Sequence, residues 1–453
     1  MPRELKLLDD QAMRDFIADG FVSVCADLPA AIYQKIRQRA EEIFATEGNP
    51  GNDILPKVPE LRQVLEHPAV AGALTSVLGP GYIVHPHRHC HLNPPGSPGQ
   101  SLHQDSYEAD ENVRHHRGRW AMGFYYPQDV DESMGPSSVL PASQYYNEGE
   151  QAHQQPELPV HGPAGTMTIV HYDLWHRATP NRGEKKRFMI KFLFYRMQEP
   201  ERPSWNHQGG DWERPTDHDW ELPPEGLCRQ MWNWYTGGGN GGSETSDAEL
   251  SAGLNHEAEA ERLRTSYALG LQGGKGVAAL MERLRWEAAE RLESNLERAH
   301  TNPSQLDALF GLAVAGKAAV VPLTEALADE NWWLRAAAAS GLGDMGKRGA
   351  EAVPDLVGAL QDESEWVRRN ATEALGIIGP EASAAVPALG EMLRDPCSRV
   401  RHNAASALGR IGSAAARVEG ALREALEDED LYARKLAGIA LERLGKSGER
   451  GAE

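Results

Sequence analysis

Residues 175–196 read WHRATPNRGEKKRFMIKFLFYR. The second half alternates as a β-strand requires: Phe188, Ile190, Phe192 and Phe194 fall on one face, and Arg187, Met189, Lys191 and Leu193 on the other. The phenylalanine-rich face suits a packing layer of helices. The opposite face, headed by a guanidinium, suits the interior of a barrel that holds an anion. Trp120–Tyr126 also runs apolar, with Gly, Pro, Asn and Asp between such segments, so residues 1–240 read as helix followed by strands. In the first half of the stretch, His176 is followed by Asn181 after five residues and by Arg187 after eleven.

Upstream, residues 101–107 read SLHQDSY, which puts His103 and Asp105 two apart. On extended backbone both side chains leave the same face and can bind one metal. His171 and Asp173 form a second such pair, but His176 then lies only three residues beyond and Arg187 falls at the wrong offset. Two His and one carboxylate on a β-barrel make the facial triad of non-haem Fe(II) oxygenases, with three coordination positions open for cosubstrate and O2. A guanidinium one strand away then forms a bidentate pair with the distal carboxylate of 2-oxoglutarate. In VHPHRHCHL, residues 84–92, His85, His87, His89 and His91 alternate and on a strand would all point one way. We expect polar lining of a substrate cavity from His85, His87 and His89. Arg117 and Arg119, beside His115 and His116, either meet an anionic substrate or lie on a solvated loop.

On these residues the N-terminal part resembles the phytanoyl-CoA dioxygenase-like Fe(II)/2-oxoglutarate oxygenases. The resemblance runs in order from residue 8 to about 198, through LDDQAMRDFIADGFVSV, LNPPGSPGQSLHQDS, MGPSSVLPASQ and WHRATPN…R. It implies a double-stranded β-helix of the jelly-roll type, with His103, Asp105 and His176 as iron ligands and Arg187 as the 2-oxoglutarate anchor. Gln104 and Trp120 would line the cosubstrate pocket, and Thr179 would stand in for the hydroxyl residue that often supports the arginine, since Ala178 holds that place. Ala142 and Gln144 occupy positions where the family usually has Gly and His. No catalytic side chain is expected beyond the metal centre. The implied reaction hydroxylates a small-molecule or natural-product substrate while 2-oxoglutarate decarboxylates to succinate and CO2. The alternative is a non-catalytic scaffold in which the C-terminal part binds a protein partner.

That C-terminal part repeats. Arg335, Arg368, Arg401 and Arg434 are 33 residues apart, as are Asp329, Asp362, Asp395 and Asp428, and also Gly346, Gly379, Gly412 and Gly445. Val-Pro opens the first helix of a unit and Gly closes the second, so about six units form an α-solenoid over residues 247–453 that resembles HEAT repeats. The repeated Asp would cap the second helix, and the Arg would pack across neighbours. A Gly-rich linker, residues 236–246, precedes it, and a Trp-rich extension of about 199–240 carries Trp205, Trp212, Trp220, Trp232 and Trp234.

The chain has 453 residues and a formal charge of −20, split evenly about Asn240. Neither part is basic, which argues against nucleic acid and anionic membranes as partners. Fourteen of the 17 histidines precede Asn240, so an imidazole-based metal site belongs to the N-terminal part. The four cysteines are dispersed and read as free thiols in a reducing compartment. No stretch approaches the ~18 apolar residues of a membrane span, and a cytoplasmic location is expected.

Overall fold

The computed structural model describes residues 4–105, 115–238, 251–293 and 306–450. The described residues up to Gly238 form one compact unit and those from Ser251 a second. From residue 239 onward, the Gly-rich linker expected between them lies outside the described residues.

The first unit is sheet-rich. Its strands are β1 (Phe21–Cys25), β2 (Ile83–Asn93), β3 (Trp120–Tyr125), β4 (Ser137–Val139), β5 (Leu158–Val160), β6 (Thr166–His171), β7 (His176–Ala178) and β8 (Arg187–Tyr195). They form two antiparallel sheets, ordered β1-β6-β3-β8-β2 and β5-β4-β7. This is the two-sheet layout of a double-stranded β-helix. Among the described residues the strands stay in two sheets and do not close into a single barrel.

β8 lies between β3 and β2. On its phenylalanine face, Phe188 meets Phe44 of helix Ala30–Thr46 edge to face at 5.7 Å, and Phe194 meets Tyr82 at 6.1 Å. Every residue of β8 is buried except Lys191. A central strand keeps an ammonium group only if that group finds a partner, and the partner of Lys191 lies in the site below.

The register of β2 against β8 shifts between Val84 and Arg88. Beyond the shift His89 stands opposite Lys191, His91 opposite Met189 and Asn93 opposite Arg187, so these six side chains share one face. The Trp-rich extension ends in helix Glu225–Tyr235. It is fixed to helix Asp10–Asp19, where the Arg14 guanidinium lies over Trp232 at 5.3 Å and Trp205 Nε1 donates to Asp10 at 2.6 Å.

The second unit is helical. The helices Glu259–Leu271, Asp307–Ala315, Trp332–Asp344, Glu365–Ile378, Ser398–Ile411 and Leu431–Arg450 stack in succession. Arg335, Arg368 and Arg401 reach Asp362, Asp395 and Asp428 of the following repeat through both Nε and Nη2. The same aspartates accept the backbone N–H of Ser364, Cys397 and Asp430, which turns the chain into the next helix. No helix of the described residues is long and apolar enough to cross a membrane.

Candidate metal centre

His103 and His176 are brought together by backbone pairing between the chain at His103 and β7. Each N–H donates to the other's carbonyl at 3.0 Å, and the imidazole centroids lie 4.5 Å apart. His103 Nδ1 bonds the Ser101 carbonyl at 2.8 Å and His176 Nδ1 the Leu174 carbonyl at 2.9 Å. Both Nδ1 atoms carry the proton in that arrangement, which leaves Nε2 of each ring as a lone-pair donor. The two Nε2 atoms approach Asp105 Oδ1 at 3.7 and 3.9 Å. One ligand atom from each of the three residues lies within 4.8 Å of the others. Lys191 Nζ meets the second carboxylate oxygen, Asp105 Oδ2, at 2.6 Å.

The electrostatics suit a divalent cation. Burial pushes the His176 imidazole down to about 4 against the opposing pull of Asp105, so the ring is neutral near pH 7. Burial alone would raise the Asp105 carboxyl, but Lys191, His176 and His103 together hold it well below the ordinary carboxylate range. Two imidazole nitrogens and one carboxylate form the donor set that a borderline first-row metal takes.

Arg187 is fully buried at the start of β8. Its Nε and Nη2 both donate to the Gly135 carbonyl, at 2.9 and 2.6 Å. Gly135 has a φ of 66°, and a Cβ there would collide with Asn93 Nδ2 and the Thr179 carbonyl, so only glycine lets the backbone come this close. Nη1 of Arg187 is buried and meets no acceptor among the described residues. An orphaned guanidinium N–H fits an anionic ligand such as the distal carboxylate of 2-oxoglutarate. His91 lies between the two charged ends of this face. Burial, followed by the charges of Lys191, His89 and Arg187, lowers its imidazole well below the usual value.

The other expected site residues make the following contacts within the protein. The Gln104 amide donates to the carbonyls of Tyr146 and Asp173, at 3.0 and 2.5 Å, and so supports the backbone that carries Asp105. Thr179 Oγ1 donates to the Pro136 carbonyl at 2.9 Å rather than to Arg187. Trp120 faces Tyr195, at the end of β8 remote from Arg187. The two rings stack at 4.8 Å, with His85 edge-on to Trp120 at 5.4 Å. Arg117 and Arg119 are buried and not on a solvated loop. Arg119 is paired with Glu199 at 2.7 and 2.9 Å.

The four alternating histidines do not form one row, because the register shift falls among them. His87 lies in the irregular stretch, its N–H donating to His85 Nδ1. Lys191 is the site residue that the motifs did not single out. The signal that places it is its register on β8, on the same face as Arg187.

Residues 16–189 match the family model described as phytanoyl-CoA dioxygenase, and residues 320–398 and 386–452 match that of HEAT repeats. Among solved structures, the chain is similar to the non-heme alpha ketoglutarate dependent carbocyclase SnoK from nogalamycin biosynthesis, with 18% identity over 44% of this chain and 88% of that one and a TM-score of 0.38. It is similar to EctD from S. alaskensis with bound Fe, with 15% identity over 46% and 85% and a TM-score of 0.38. It is also similar to AviO1 from Streptomyces viridochromogenes Tue57, with 18% identity over 42% and 96% and a TM-score of 0.33. No curated protein matches the chain. The chain carries a phytanoyl-CoA dioxygenase domain at residues 16–189 and HEAT repeats at residues 320–452.

Proposed function

We propose that the first unit is an Fe(II)/2-oxoglutarate-dependent dioxygenase that hydroxylates a small-molecule or natural-product substrate. The observation that carries this reading is the convergence of His103 Nε2, His176 Nε2 and Asp105 Oδ1, beside β8, whose Lys191 meets Asp105 and whose Arg187, on the same face of that strand, keeps Nη1 without an acceptor among the described residues. When bound, iron and 2-oxoglutarate supply the O2-dependent oxidation of a C–H bond, with succinate and CO2 as co-products.

The residues of the chain have distinct tasks in this reading. His103 and His176 present Nε2 in a fixed direction because their Nδ1 protons are held by backbone carbonyls. Arg187 would orient the cosubstrate with a donor that is desolvated before the ligand arrives. Phe124, packed at 5.3 Å on His176, excludes water from the ligand ring. His85 and Trp120, at the far end of β8 from Arg187, would line the substrate side, with His89 nearer the metal. For the HEAT repeats we propose a surface that holds a protein partner or a long substrate.

Anaerobic addition of Fe(II) and 2-oxoglutarate to the full chain is expected to give a weak visible charge-transfer band, because the keto and C1 carboxylate oxygens would chelate the metal. Bound metal without that band would overturn the reading.

A further inference from the structure

The two oxygens of Asp105 meet different groups. Oδ1 faces the Nε2 atoms of both histidines, at 3.7 and 3.9 Å, while Oδ2 is 2.6 Å from Lys191 Nζ. Both side chains of that ion pair are largely buried, with 13% of Lys191 and 10% of Asp105 exposed. Lys191 has little freedom to leave. It sits in the middle of β8, the fourth strand of five, hydrogen-bonded to β3 on one side and β2 on the other.

A carboxylate with both oxygens free can swing to chelate a metal through both, and the second bond fills a position that an exogenous ligand would use. A charge-assisted hydrogen bond to one oxygen prevents that rotation. We propose that Lys191 is a positioning residue that holds Asp105 as a one-oxygen ligand and so keeps three coordination positions open. The inference rests on the metal-centre reading above and assigns Lys191 a task distinct from that of Arg187, four residues earlier on the same face. Lys191 acts on the protein's own ligand and does not anchor the cosubstrate.

The test uses Mn(II) alone as the probe, bound to the full chain, with solvent-proton relaxation reporting the exchangeable waters on the metal. In Lys191→Met, Asp105 Oδ2 is released to the metal and displaces one of three waters, so the bound relaxivity is expected to fall by roughly one third. Lys191→Arg, which keeps both charge and donor, is expected to retain the wild-type value. Should the Met variant not fold, Lys191→Gln, close in length but uncharged, carries the same measurement.

Wild-type relaxivity in the uncharged variant would overturn the proposal. The same relaxivity with weakened 2-oxoglutarate binding would overturn it too, and would make Lys191 a cosubstrate anchor. A wild-type chain that takes up no Mn(II) would instead sink the metal-centre reading, a failure visible before any variant is compared.

Discussion

Arg187 is held on one side by the Gly135 carbonyl and keeps Nη1 without an acceptor among the described residues. Truncating one partner of a desolvated charge pair costs on the order of 2–5 kcal/mol. Arg187→Ala is therefore expected to raise the apparent 2-oxoglutarate constant by about tenfold or more, read from succinate formation against cosubstrate concentration. Metal affinity in the absence of cosubstrate should be unchanged, since Arg187 is not part of the donor cluster. An unaltered cosubstrate constant would count against Arg187 as the anchor. Two departures from the family pattern also take their meaning at this scale. Ala142 has a φ of 63°, in the left-handed region where glycine is unstrained, so the usual Gly at that position is explained by backbone geometry. Gln144 donates to the carbonyls of Ile17 and Ala18 and serves to fasten the first helix. The spacing of His103, Asp105 and His176 was legible because period-two alternation and one adjacent strand suffice to gather them. The ion pair of Lys191 with Asp105 was not, because it joins residues 86 apart in sequence through the placement of β8 against the loop at Asp105. Gln104 was assigned by its position in the family pattern and Thr179 by adjacency to Ala178, and neither signal reveals the backbone carbonyls that accept from each side chain.

At the scale of elements, a strand's pattern is readable only while its register is regular. The alternation in β8 predicted both of its faces, whereas the shift between Val84 and Arg88 in β2 removed His87 from the row that sequence alone suggested. The ends of β3 and β8 are locked by a different device. Arg119 pairs with Glu199 through two nitrogens, Trp234 Nε1 donates to Glu199 Oε2 at 2.9 Å, and the Arg196 guanidinium lies over the Trp234 ring at 5.0 Å. Burial alone would raise the Glu199 carboxyl, yet the charge and hydrogen bond of Arg119, with Trp234, bring it down to about 2. A carboxyl depressed by folding stabilises the native state fully above its unfolded value of 4.5, and that contribution is lost as the pH falls from there towards about 2. Because Glu199 remains 24% exposed, solvent screening trims the usual cost of breaking a buried pair, and Glu199→Gln should destabilise by about 2 kcal/mol at pH 7. Urea unfolding of wild type and variant across pH checks the sign: the gap should narrow steadily below pH 4.5. A gap that stays constant or widens in acid would mean that the ion pair is not its source.

For the molecule as a whole, the separation of tasks follows from where the donor atoms lie. Every residue proposed to hold metal or cosubstrate precedes Gly238, and the sheets, first helix and Trp-rich extension that position them belong to the same compact unit. The repeats close their own core by stacking one helix on the next, and the Arg–Asp links from each repeat to the following one need no other part of the chain. A protein ending at Asn240 is therefore expected to fold, to bind metal, and to convert 2-oxoglutarate slowly to succinate. Thermal melting and succinate measurement on this fragment and the full chain check all three. Their pattern also says what the repeats contribute. If the fragment keeps slow succinate formation but loses the faster turnover that a substrate induces in the full chain, the repeats deliver substrate to the site. If it aggregates, the repeats stabilise the first unit. If it stays soluble but binds neither metal nor 2-oxoglutarate, the repeats complete the site, and the division of tasks at the Gly-rich stretch is wrong.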